Sequence, residues 1–154
     1  MVAEYAEQLY FPAHKRWRRL NQESVQHGKA LAAWKSHLRQ HWSEIRLDRI
    51  EDNPVTEFQL GEKLWVRAHI HIGALSPKDV AVQLYHGLLD SNSEIPTGEA
   101  VAMDCTSENV GGTCLFEGAI SSPTTGLHGY TLRILPHHED LNHPYELGLI
   151  FWAS

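Results

Sequence analysis

From residue 64 the side chains alternate in character. Leu64, Val66, Ala68, Ile70 and Ile72 are interleaved with Trp65, Arg67, His69 and His71. A period of two specifies a strand with one face in a core and the other in water. Val80, Val82 and Leu84 alternate with Ala81, Gln83 and Tyr85 in the same way. This pattern excludes a helix over either stretch, because consecutive residues of a helix lie 100° apart and would scatter the apolar set around its axis.

Further strands are expected over residues 45–50, 100–106, 113–120, 130–135 and 147–152. About seven short strands separated by Gly, Pro, Ser and Asn turns predict an antiparallel, immunoglobulin-like β-sandwich. No helical period lies between successive strands, so parallel βαβ units are excluded. The Gly111-Gly112 pair reads as a hairpin turn.

The first third of the chain is different. Residues 1–10 form a short amphipathic helical pattern that Pro12 interrupts. Over residues 22–42, Leu31, Trp34, Leu38 and Trp42 recur at intervals of three and four, which places them on one helical face. Lys29, Lys35, Arg39 and Gln40 fall mostly on the other side. Propensity alone holds such a helix weakly, so this face requires a surface to cover. The period changes near Ser43, which divides the chain into a helical arm, 1–43, and a mainly-β domain, 44–154.

Charge follows the same division. Residues 1–52 carry nine Lys/Arg against seven Asp/Glu, and the remainder four against twelve. An acidic sandwich disfavours a nucleic-acid partner. The basic cluster His14-Lys15-Arg16-Trp17-Arg18-Arg19 is short and followed by acids, and reads as a solvated helix face. No run reaches the eighteen or so apolar residues of a membrane span. The N-terminus has acids where a signal peptide has basic and apolar residues, so a cytoplasmic location is expected. That setting favours free thiols for Cys105 and Cys114, both read as small apolar residues of the sandwich.

Candidate chemistry is sparse. His69 and His71 lie two apart on an outward strand face, and His137, His138 and His143 share a loop with Glu139 and Asp140. Neither set has an evident third ligand on a rigid element, so a structural or solvent-facing role is expected and no metal site is assigned. Nucleophile-elbow, phosphate-loop and dinucleotide motifs do not occur. No catalytic residue is assigned, and the chain alone is not read as an enzyme. Trp65 and Tyr85 point outward on their strands and would share a face if those strands paired. Exposed aromatics of this kind stack on sugars or dock partners, but burial beneath the helical arm is the favoured expectation, because the Leu31, Trp34, Leu38 and Trp42 face must be buried somewhere.

Several runs resemble a known family. Met1-Val2-x-Glu4-Tyr5 with Tyr10-x-Pro12-Ala13 resembles the last helix of the catalytic region in α-glucan (glycogen/maltodextrin) phosphorylases. Three later runs are similar to the C-terminal extension of the shorter bacterial and archaeal enzymes. They are Asp79-Val80-x-Val82-x-Leu84-Tyr85-x-Gly87, then Gly129-Tyr130-Thr131-x-Arg133, then Leu135-Pro136-x-His138-x-Asp140-Leu141-x-x-Pro144-x-Glu146-Leu147-Gly148-Leu149-Ile150-x-Trp152.

The resemblance implies a parent that uses pyridoxal phosphate and inorganic phosphate to release glucose 1-phosphate from terminal α-1,4-glucosyl links. The cofactor lysine and the phosphate and glucan contacts of the family belong to upstream segments, and no position here matches them. The chain is accordingly expected to be an excised C-terminal portion, with Val2, Tyr5, Leu9 and Tyr10 packing on the catalytic region. Three roles follow: a structural brace, a glucan-binding module, and a protein-interaction or regulatory module.

Overall fold

A computed structural model describes residues 25–53, 61–108, 111–121 and 125–153. The expected helix over 1–10 and its packing lie outside these residues. Helix α1 spans Val25–His41, and its sequence explains it. Ala30, Ala32 and Ala33 are strong helix formers. Leu31 and Leu38 are its buried residues, and Arg39 and His41 sit in the last turn, where a positive side chain complements the helix dipole. A 3-10 turn over Trp42–Glu44 closes it, with the Ile45 amide donating to the Trp42 carbonyl.

Eight strands follow among the described residues: β1 (Arg46–Asp52), β2 (Lys63–His71), β3 (Val80–Leu88), β4 (Glu99–Ala102), β5 (Asp104–Glu108), β6 (Thr113–Ser121), β7 (His128–Pro136) and β8 (Phe151–Trp152). They form two antiparallel four-stranded sheets, ordered β1-β2-β6-β5 and β4-β3-β7-β8. The protein is therefore mainly β with a helix at the N-terminal side, as the periodicity predicts.

The inner rows of both sheets make one core. Val66, Ala68 and Ile70 from β2 and Phe116 from β6 face Val82 and Leu84 from β3 and Leu132 and Ile134 from β7, all at 2% exposure or less. Size alternates across the layers. Ala68 is paired in register with Phe116, and a Cβ on Gly118 would lie 3.0 Å from Met103 and 3.1 Å from Leu84. The large ring thus sits beside a small residue, and the gap at Gly118 is filled by the opposite sheet.

Three sequence expectations need correction. Residues 100–106 are two strands in different sheets. The chain crosses from one sheet to the other at buried Met103, whose amide still bonds the Val82 carbonyl. Alternation persists through such a corner, so periodicity cannot reveal it. The final strand is confined to Phe151–Trp152, because residues 143–148 turn twice and Gly148 takes φ +66°. Cys114 is buried as expected, but Cys105 is exposed on the edge strand β5; both are free thiols. Burial pushes the Cys114 thiol up to about 11, which removes it from thiolate chemistry near neutral pH. The Gly111-Gly112 turn joins β5 to β6, both glycines at positive φ, and the Gly112 carbonyl accepts from the Ile72 amide.

Candidate functional site

One end of the sandwich is closed by α1. There the starts of β1, β3 and β6 meet the ends of β2 and β7, and Leu38 enters the core completely buried. A 3-10 turn, Pro77–Asp79, precedes β3 and is fixed by a capping box. The Ser76 hydroxyl accepts from the Lys78 amide, while Asp79 accepts from the Ser76 amide. The other Asp79 oxygen accepts from the Trp34 indole N–H at 2.8 Å, and its backbone carbonyl accepts from the His137 amide. One residue thereby ties helix, turn and the segment after β7 together.

The helix has two more attachments. The Trp34 ring lies 4.6 Å from that of His138, and Lys35 donates to Glu146 at 2.7 Å. The second Glu146 oxygen accepts from the Asn142 amide, so the 138–146 loop is pinned to the helix. The Ser-Pro-Lys-Asp run is a legible capping signal, but nothing in the sequence joins Asp79 to Trp34, 45 positions away.

Trp65 and Tyr85 do not share a face. Trp65 lies on β2 and Tyr85 on β3, in different sheets with opposite outer surfaces. Neither is covered by α1, whose apolar face is spent on the closed end. Tyr85 is half-buried in a cluster of its own. Its hydroxyl accepts from the Gly98 amide, and its ring meets that of Trp152 edge-on at 5.6 Å. The Arg133 guanidinium lies 5.5 Å from both ring centroids and donates twice to Gln83 Oε1. The sequence placed Arg133 and Trp152 in family-like runs but assigned neither a contact; register aligns Gln83, Arg133 and Trp152 across three strands.

Trp65 is 60% exposed, near the end of the sandwich opposite α1. It borders an open hollow of about 570 Å³ lined by Glu51, Asp52, Asn53, Val66, Arg67 and Glu117. The Asn53 side-chain carbonyl accepts from the Trp65 amide at 2.9 Å. Arg67 pairs with Glu117 at 2.8 Å, and Arg49 with Glu51 at 3.1 Å.

Among the described residues, no group of three or more His, Cys, Asp or Glu suited to a metal occurs. His69 stands beside Glu51, and His71 bonds Thr113. No helix among the described residues is long and apolar enough to cross a membrane.

His86 is buried at the inner-face end of β3, facing Glu99 and His128 around a cavity of about 200 Å³. Burial holds its imidazole below the usual histidine range, with His128 adding to the effect and Glu99 opposing it. The unfolded chain binds this proton near pH 6.5, while the folded chain resists it to lower pH. The His86 contribution is therefore complete above about 6.5 and is lost as pH falls from there towards the folded value. Urea midpoints at pH 7.5 and 5.0 are expected to differ less in His86→Gln than in the unaltered protein. Equal differences would show that His86 titrates normally.

The fold is a two-sheet β-domain with a helix locked across one end. Among known proteins, the family model for the glycogen phosphorylase C-terminal domain matches residues 42–154. Glycogen phosphorylases of Mycobacterium bovis and Mycobacterium tuberculosis are each 30% identical over 154 residues, which is 99% of this chain and 18% of theirs. A maltodextrin phosphorylase of Thermococcus litoralis is 26% identical over 157 residues, again 18% of its length.

The chain belongs to the glycogen phosphorylase C-terminal domain family. It spans about a fifth of the length of these relatives (18%). The cofactor implied by the resemblance requires a lysine in an enclosed pocket. Lys29, Lys63 and Lys78 are exposed and Lys35 is paired with Glu146, so the described lysines do not fit it.

Proposed function

We propose that this chain is the accessory C-terminal domain of an α-glucan phosphorylase and acts as a structural brace. In this reading the parent's reaction, phosphorolysis of terminal α-1,4-glucosyl links to glucose 1-phosphate, belongs to the catalytic region, which is the domain's partner. The single observation that carries the brace role is the helix joint. Leu38 in the core, Trp34 on Asp79 and Lys35 on Glu146 fix α1 against the sandwich at three points. The direction of α1 relative to the β-domain is thereby fixed, because a packed helix is stiff over its length.

The strand order supports reading the sheets as immunoglobulin-like. With β1 to β8 as strands A, B, C, C′, D, E, F and G, the sheets become A-B-E-D and C′-C-F-G. The division at 43/44 is supported by the family match beginning at residue 42. The outer face of the second sheet supports a docking role, since Tyr85, Arg133 and Trp152 are the side-chain types that dominate binding energy at protein interfaces.

Trp34→Ala removes a half-buried ring and leaves Asp79 without its indole donor. In this chain it is expected to cost about 2 kcal/mol, read from urea unfolding. In the full-length phosphorylase it is expected to lower both the Tm and the phosphorolysis rate, as is deletion of residues 42–154. An enzyme whose stability and rate survive that deletion unchanged is not braced by this domain.

A further inference from the structure

The Trp65 hollow has a composition that selects its ligand. A large indole standing 60% exposed on a sheet face offers a flat apolar surface on which a ring can stack. Its surroundings are the reverse of apolar. Glu51, Asp52, Asn53, Arg67 and Glu117 form the rim, and internal bonds hold each of them. Arg67 bonds Glu117, Arg49 bonds Glu51, Tyr130 donates to Asp52, and Asn53 accepts from the Trp65 backbone. A flat hydrophobic platform ringed by prealigned acceptors and donors suits a ligand with an apolar ring face and hydroxyl edges. Arg49 and Arg67 offset Glu51 and Glu117, which leaves Asp52 as the net charge of the rim, so a neutral ligand is favoured over an anion.

We propose that this hollow is a binding site for neutral α-glucan oligosaccharides, one glucosyl ring stacking on Trp65 and its hydroxyls meeting the Glu51, Asp52, Asn53 and Glu117 rim. The inference rests on the family reading above, since the relatives are named for glycogen and maltodextrin. It separates Trp65 from Tyr85, whose ring is already occupied by Arg133 and Trp152. Such a site raises the local concentration of chain ends for the parent enzyme without touching the reacting bond. It lies at the far end from α1, leaving the helix joint free to brace.

The test is a calorimetric titration of this chain with maltoheptaose, repeated with glucose 1-phosphate. Millimolar binding of maltoheptaose is expected, weakened at least about tenfold in Trp65→Ala and only a few-fold in Trp65→Phe, which keeps a stacking ring. Tyr85→Ala is expected to leave the affinity unchanged, and glucose 1-phosphate to give no heat. Far-ultraviolet circular dichroism confirms that each variant is folded. No heat with maltoheptaose, full affinity in a folded Trp65→Ala, or equal binding of glucose 1-phosphate would overturn the assignment. The brace reading is judged separately by the deletion in the full-length enzyme, so either can fail alone.

Discussion

Phe116→Ala is expected to lower the unfolding free energy by about 3–5 kcal/mol, a large part of what a domain of this size possesses. The ring is 2% exposed at the centre of the first sheet's inner row. Collapse cannot fill the space it vacates. Strand β6 is hydrogen-bonded on both sides, to β2 and to β5, and the facing Met103 and Leu84 are already committed to the gap at Gly118. The cost therefore includes a cavity term besides lost transfer energy. Urea unfolding should show a lower midpoint with unchanged slope, and the Tm should drop by roughly 2–4 °C per kcal/mol. Phe116→Leu, which keeps most of the volume, should cost under about 1.5 kcal/mol. A loss in the alanine variant below about 1 kcal/mol would mean that the two inner rows are loosely packed.

Leu38→Ala is expected to cost about 2–5 kcal/mol, and its signature should be local as well as global. Leu38 is a helix residue yet is completely buried in the sandwich core. A 17-residue helix is marginal by itself, so α1 depends on this anchor. The remaining attachments are weaker. The Lys35–Glu146 pair is partly open to water, and such pairs contribute at most about 1 kcal/mol. Amide exchange in α1 should therefore accelerate more than exchange in β2, β3, β6 and β7. Uniform acceleration across helix and strands would show that α1 opens only when the whole domain unfolds, while unchanged helix exchange would contradict the anchor role.

How much of this was legible beforehand depends on the distance over which each decision is made. The alternation from Leu64 to Ile72 gave β2 and its buried face, and Leu31, Trp34 and Leu38 gave the face of α1, because both periods are local properties of the backbone. The crossing at Met103 was not legible, since a strand that changes sheets keeps its period. Nor was the shortness of β8, which follows from turns that the run Leu147 to Ile150 does not announce. The aromatic pair shows the same limit at the candidate site. The outward orientation of Trp65 and Tyr85 followed from alternation, but whether they shared a face, and how far each was covered, depended on which strands paired.

The sequence by itself determined the element types, the antiparallel β-character, the surface each strand buries and the family to which the chain belongs. Tertiary structure alone decided that β2 and β3 lie in different sheets, that Asp79 receives the Trp34 indole, and that Tyr85 is half-buried against Arg133 and Trp152 while Trp65 stands open. The physical reason is range. Periodicity records which side of an element faces away from water, through steric and solvation effects acting over a few residues. Pairing and docking are settled by shape and hydrogen-bond complementarity between segments tens of residues apart, and no local pattern encodes the partner.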